Sequence, residues 1–260
     1  MDNRLPCFPP AFQNLCKALP ALLLALQATA AAPPPHASPA EVPVYRTSMP
    51  PPMVLSYRLR KGGWTGNGDL TWQPHGNRYQ ARLEGTVMGF KAMTWVSAGT
   101  LDANGIAPAR FTDERRGKKE LSADFQRPSG PIAYSGYPDR HPLVPGAQDR
   151  LSWMLQVAAI ASADTRRMAR GERVSFYVTG ARGDADVWSF QVKGTEGVVT
   201  PAGSFPAVKL LREPRKPNDT RVEVWLDPAR YYLPVRARLT NVQENDTLEL
   251  VLEEMQPPTS

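Results

Sequence analysis

The chain has 260 residues, 42% of them hydrophobic, enough to bury the core of one large domain or two small ones. Its 27 Pro and 19 Gly punctuate it too often for long helices, so many short strands are expected. A net charge of +6 suits anionic partners and is silent about fold.

The N-terminus carries Arg4 and Lys17, then the run ALPALLLALQATAAA at 18–32. Ala28-Thr29-Ala30 and Ala30-Ala31-Ala32 both fit a small-x-small cleavage pattern. The apolar core is about a dozen residues, short of the ~20 that a spanning helix needs. Residues 1–32 are therefore expected to be a cleaved secretory signal. Both cysteines, Cys7 and Cys16, lie within it. The mature chain is then expected to lack disulfides, thiol nucleophiles and Cys-bound metal.

Residues 33–52 (PPPHASPAEVPVYRTSMPPP) include eight Pro. Such a segment is expected to be a stiff, disordered tether. A single β domain is expected over 53–256.

Within that domain 53–60 (MVLSYRLR) alternates as a strand does. The glycine-rich GGWTGNG at 62–68 is expected to be a turn, followed by a strand at 69–73. In 78–87, Tyr79, Ala81 and Leu83 fall on one face and Arg78, Gln80, Arg82 and Glu84 on the other. Further strands are expected at 90–100, at 109–114 and 121–126 around the basic turn RRGKK, and at 132–135. The pattern then changes once, at 147–163 (AQDRLSWMLQVAAIASA). Leu151, Met154, Leu155 and Ala158 keep helical spacing, but Trp153, Val157 and Ile160 are apolar too, so this helix is buried on most sides. Strands resume at 174–179, 186–193, 198–200, 207–212, 221–226, 233–241 and 246–253. The fold class is mainly β: one long, curved antiparallel sheet, half-barrel or barrel-like, wrapped around a single buried helix near 147–163. A closed barrel plugged by the helix is the near variant.

No catalytic constellation is visible. His36, His75 and His141 lie in the tether or in turns, and no G-x-S-x-G elbow occurs. Asp184 and Asp186 are the best carboxylate pair, without further oxygen ligands nearby. No glycine-rich loop opens a helix to hold a phosphate. The expectation is a non-enzyme with no cofactor and no metal; a hydrolase with an unrecognised site is the alternative. Basic clusters stand at Arg115, Arg116, Lys118 and Lys119, at Arg166, Arg167 and Arg170, and at Arg212, Arg215 and Lys216. Export argues against nucleic acid as their partner and leaves peripheral contact with an anionic membrane. The stretch VMGFKAMTW at 87–95 combines Met, Gly and aromatics, which suits an adaptable apolar site. The candidate ligand-binding residues are Met88, Phe90, Met93, Trp95, the helix residue Trp153, and Trp225. Alternation over 222–240 places Trp225 opposite the aliphatic face of a hairpin.

Four landmarks in order resemble the DUF3108 family of exported bacterial proteins, whose role is undefined. They are Gly105-Ile106-Ala107-Pro108-Ala109-Arg110-Phe111; Pro145-Gly146-Ala147-Gln148-Asp149-Arg150-Leu151-Ser152; Gly203 in PAGSFPA; and Trp225-Leu226-Asp227 followed by Leu233-Pro234-Val235-Arg236. A looser likeness is to the lipoprotein-sorting LolA and LolB carriers, whose curved sheet encloses an apolar cavity. The resemblance implies a periplasmic location and supplies no catalytic residues. The expected function is that of an exported envelope protein holding a lipid or other apolar or amphipathic ligand within the sheet. The alternative is a structural or assembly factor that binds a protein partner through a sheet edge or basic loops.

Overall fold

The structure, a computed structural model, describes residues 39, 42–216, 219–243 and 246–257; the expected signal at 1–32 lies outside them. Eight strands form a first meander: β1 (Met53–Lys61), β2 (Trp64–His75), β3 (Arg78–Val87), β4 (Phe90–Asp102), β5 (Gly105–Arg115), β6 (Leu121–Phe125), β7 (Ile132–Tyr134) and β8 (Arg140–His141). A two-residue strand β9 (Gln148–Asp149) and the helix α1 (Ser152–Ala163) connect it to a second meander. That comprises β10 (Arg173–Thr179), β11 (Ala185–Thr200), β12 (Gly203–Arg212), β13 (Thr220–Asp227), β14 (Leu233–Asn241) and β15 (Asp246–Gln256).

All fifteen strands lie in one sheet, ordered β8 through β1 and then β15 down to β9. The last strand thus pairs with the first, with Leu55 opposite Met255 and Lys61 opposite Leu248. Every pairing is antiparallel except β9 with β10, which is parallel, so the sheet is mixed. It curls without closing into a barrel. The hairpins β1–β2, β3–β4, β5–β6 and β14–β15 share one end, here the mouth. The turns β2–β3, β4–β5, β11–β12 and β13–β14 share the other.

Alternation explains the inner face. Met53, Leu55, Tyr57 and Leu59 of β1 are buried, with half-exposed residues between them. α1 fills the curl, and every residue from Ser152 to Ala161 is buried. Trp153 stacks on Phe190 at a ring separation of 4.9 Å and lies 5.7 Å from Trp188.

The helix begins at Ser152 rather than at Ala147 because the residues before it have other partners. Gln148 and Asp149 pair with Val178 and Thr179 of β10. The buried Asp149 carboxylate accepts from Leu151 N and Ser152 N, both at 2.8 Å. Asp149 N donates to Ser152 Oγ at 2.9 Å in return, the reciprocity of a capping box. Ser97 Oγ adds a third bond to the carboxylate at 2.5 Å and is itself bonded to Tyr79 Oη at 2.7 Å.

The two edges of the sheet meet at a seam. β6 pairs with β5 only over Arg110–Asp113, so the first half of β5 has no strand on that side. Side chains take its place. Gln148 Nε2 donates to Ile106 O at 2.8 Å, Ile106 N donates to Gln156 Oε1 at 2.9 Å, and Gln156 Nε2 donates to Asn104 O at 2.8 Å. Arg127 Nε donates to Pro108 O at 3.0 Å. Further along, Tyr134 Oη bonds Thr179 Oγ1 at 2.6 Å and His141 Nε2 meets Gly183 O at 2.9 Å. Gly105 is needed at this clamp: its φ is +97°, and a Cβ there would lie 2.5 Å from Gln156 Oε1.

Three further expectations are corrected. The expected tether is not free over 42–52. Pro-rich backbone keeps it out of the sheet, but Ser48 N donates to Ala159 O at 2.9 Å, Tyr45 Oη accepts from Ser175 N at 3.0 Å, and Trp72 Nε1 donates to Pro50 O at 3.0 Å. This strap covers the end opposite the mouth. Nor is GGWTGNG wholly a turn. The turn is Gly62-Gly63, and β2 begins at Trp64, because Gly66 lets the chain run so close to Thr86 that a Cβ would sit 2.1 Å from its carbonyl oxygen. Likewise 186–193 and 198–200 are one strand, β11, carrying a bulge near Lys193.

Two outcomes test this core. Trp153→Ala is expected to cost about 3–5 kcal/mol in denaturant melts; a loss below about 1 kcal/mol would show that α1 is not the centre of the core. Burial, opposed by the hydrogen bonds from Ser97, Ser152 and Leu151, raises the Asp149 pKa from 3.8 to about 6. The folded chain therefore favours the neutral acid. This contribution to stability is greatest below pH ~4 and is lost as pH rises through about 6, by about 3 kcal/mol in all. Asn at 149 can keep both acceptor bonds and donate to Ser97. Chemical melts of wild type and Asp149→Asn from pH 4 to 7 are expected to differ by this slope, and parallel curves would disprove it.

Candidate functional site

A cavity of about 520 Å³ opens at the mouth. Its apolar wall is Leu59, Met93, Trp95, Phe111, Leu239 and Leu248. A separate narrow pocket of about 20 Å³ shares Leu59, Met93, Trp95, Leu239 and Leu248 with it and reaches Trp153 and Met154 at the start of α1. The space exists because the inner face carries small residues here. Gly66, Gly85, Ala92 and Gly180 line it. A bulge assists: Gly85 pairs with Met93 and Thr86 with Lys91, leaving Ala92 without a partner. Trp95 packs edge-on against Phe111 at 5.9 Å, and its Nε1 has no hydrogen-bond partner among the described residues.

The mouth is charged but internally compensated. Asp113 is buried and receives Arg115 through Nε and Nη2, both at 3.0 Å, with Arg182 at 3.7 Å. Arg150 pairs with Asp184 and lies 4.7 Å over Trp188. Lys61 pairs with Asp246 across two neighbouring hairpins. An apolar ligand can thus enter without stripping water from an unpaired cation.

The six candidate residues separate into three places. Met93 and Trp95 line the cavity, and Trp153 lines the narrow pocket beside it. Met88 and Phe90 instead stand at the exposed tip of the β3–β4 hairpin, where Met88 takes φ +52° and Arg116 lies 4.6 Å over the Phe90 ring. Trp225 is on the outer face, under Lys209 at 4.6 Å and Arg236 at 5.1 Å, with Nε1 donating to Glu196. Nearby, burial alone would raise the Glu249 pKa, but hydrogen bonds from Arg236 and Arg238 outweigh it and hold the group low. Trp225 is therefore part of a surface network. Sequence reading missed Leu59, Gly66, Gly85, Leu239 and Leu248. The glycines were visible in GGWTGNG and in Gly85, as small residues at inward positions of the flanking strands.

The other candidates form no site. Asp184 is held by Arg150, and Asp186 by Arg215 with Arg212 nearby. No group of three His, Cys, Asp or Glu is placed to hold a metal among the described residues.

The sequence profile of DUF3108, described as a protein of unknown function, matches residues 55–250. No curated protein matches the chain. Among solved structures, a β-barrel-like protein of the DUF1849 domain from Brucella abortus superposes with a TM-score of 0.55 at 13% identity, covering 82% of this chain and 100% of that one. The Pseudomonas aeruginosa MucA/MucB complex is more distant, at a TM-score of 0.37 and 12% identity, over 80% of this chain and 53% of that one. A putative lipoprotein from Parabacteroides distasonis gives 0.37 at 13% identity, over 82% and 99%. The first of these shares the fold, a curled sheet around a helix. With its profile spanning three quarters of the sequence and all four landmarks inside the fold or its seam, the chain belongs to the DUF3108 family.

Proposed function

We propose that the protein is an exported, non-enzymatic carrier that holds an apolar or amphipathic ligand in the mouth cavity. The observation that carries this reading is the cavity itself: about 520 Å³, with a largely apolar wall and paired charges at its rim. Its volume lies within the ~300–1,000 Å³ of ordinary small-molecule sites. The signal-like N-terminus supports a periplasmic setting, where envelope lipids are the abundant ligands of this chemistry. The competing reading, a partner strand added to a sheet edge, has little room. The edge strands β8 and β9 are two residues each and are tied across the seam.

The test is direct. Native mass spectrometry of protein purified from its own host is expected to show a bound apolar or amphipathic mass. In solution, anilinonaphthalene sulfonate is expected to bind the wild type and to bind Met93→Trp at least roughly tenfold more weakly, since the larger ring fills the cavity. Equal affinity of the two proteins, or a host-purified protein carrying only a stoichiometric protein partner, would sink the carrier reading.

A further inference from the structure

Four of the eight large apolar side chains exposed among the described residues stand on hairpin tips at the mouth. Trp64 is 64% exposed at the β1–β2 tip, Met88 76% and Phe90 59% at the β3–β4 tip, and Val242 55% at the β14–β15 tip. These tips are neighbours around one arc of the rim. Gly66 pairs with Val87, bringing Trp64 beside the β3–β4 turn, and Lys61 pairs with Asp246, tying the β1–β2 hairpin to β14–β15.

The β5–β6 turn is next along the rim. Arg116 N donates to Ala92 O at 3.0 Å, and its guanidinium lies on Phe90. Arg116, Lys118 and Lys119 take part in no ion pair among the described residues, and the same turn holds one acid, Glu120. The other basic clusters are otherwise engaged. Arg166 is paired with Asp164 and Arg167 lies over Tyr45, both towards the strap, while Arg212 and Arg215 are bonded to Asp219 and Asp186.

From this arrangement we infer that the rim docks on an anionic phospholipid bilayer, with Trp64, Met88, Phe90 and Val242 entering the interface and Arg116, Lys118 and Lys119 meeting the headgroups. Trp and Phe on hairpin tips suit the interfacial region, and basic residues beside them add attraction to anionic lipid. Single apolar side chains on separate tips around an opening fit a fluid layer that moulds to each of them. A protein interface would instead bury one contiguous, packed patch. The contact rests on the tips alone. It rests on the carrier reading only for its purpose, which is to set the cavity opening against the layer that supplies the ligand.

Flotation with vesicles of phosphatidylcholine, alone or mixed with phosphatidylglycerol, tests it on the full chain. Wild type is expected to float with the anionic vesicles and to be released by high salt. Lys118→Ser with Lys119→Ser is expected to weaken anionic binding roughly 25-fold. Met88→Ser with Phe90→Ser is expected to weaken it at least roughly tenfold. Trp64→Phe should still float but lose the fluorescence quenching that brominated acyl chains cause in wild type. The Lys118/Lys119 and Met88/Phe90 variants, whose residues do not line the cavity, are expected to keep wild-type melts and naphthalene-probe affinity, while Met93→Trp should float normally, so docking and the cavity fail separately. Absent flotation, equal flotation of all variants, or tips that bind a protein while ignoring vesicles would each overturn the inference.

Discussion

The structure depends on the hydrogen bonds that two glutamines make to the backbone at the start of β5. Gln148 and Gln156 take both polar groups of Ile106 and the carbonyl of Asn104. Gln148 belongs to the short edge strand and Gln156 to the helix, so one clamp holds the seam and the plug together. An apolar helix must be enclosed on all sides. A curled sheet with two unpaired edges must satisfy those edges. Breaking the clamp would leave several buried polar groups unpartnered, each at about 1–3 kcal/mol. Asp149 sits between the two glutamines and ends the edge strand while starting the helix, which is why its buried carboxylate is retained despite the cost of charging it.

This clamp also gives the domain its two unlike ends. At the far end the strap, the clamp and the C-terminal part of α1 pack against each other, leaving no space beside Ala159 or Gly105. At the mouth the helix has not yet begun, and inward positions are occupied by Gly66, Gly85 and Gly180. The cavity is what remains when a helix of twelve residues plugs a sheet with strands such as β2 and β3, of twelve and ten residues. Its depth is set by where Asp149 starts the helix.

Much of the fold was legible in the sequence because two periodicities differ so clearly. Period-two alternation in 53–60 and 78–87 and the one helical segment leave little choice of class. The boundaries that were misjudged share a cause: a tertiary contact overrode local propensity. Gln148 and Asp149 read as helix until parallel pairing with Val178 and Thr179 claims them. GGWTGNG reads as a turn until the close approach of β3 makes its glycines necessary. The strap reads as a tether because nothing local announces that Tyr45 will be bonded from Ser175, 130 residues away. The candidate site was half legible. Met93 and Trp95 announce an apolar surface, whereas Leu59, Leu239 and Leu248 look like any inward aliphatic residue, and only the curl brings them to one wall. Trp225 misled because an aromatic opposite an aliphatic face signals burial, and burial under Arg stems looks the same in sequence.

The charges of the mouth complete the picture. Exposed ion pairs such as Lys61–Asp246 and Arg150–Asp184 contribute little to stability, about 0–1 kcal/mol each. Their effect is positional. Lys61–Asp246 ties neighbouring hairpins, Arg150–Asp184 ties the helix start to the β10–β11 turn, and Asp113 gathers Arg115 and Arg182 from opposite sides of the seam. The rim is thereby held at a fixed spacing while its charge is cancelled near the opening. The cations without an acid partner are displaced onto the β5–β6 turn, beside the exposed rings of Phe90 and, one hairpin further, Trp64. The same end of the domain thus carries paired charges around its opening and unpaired cations beside exposed rings on the neighbouring tips.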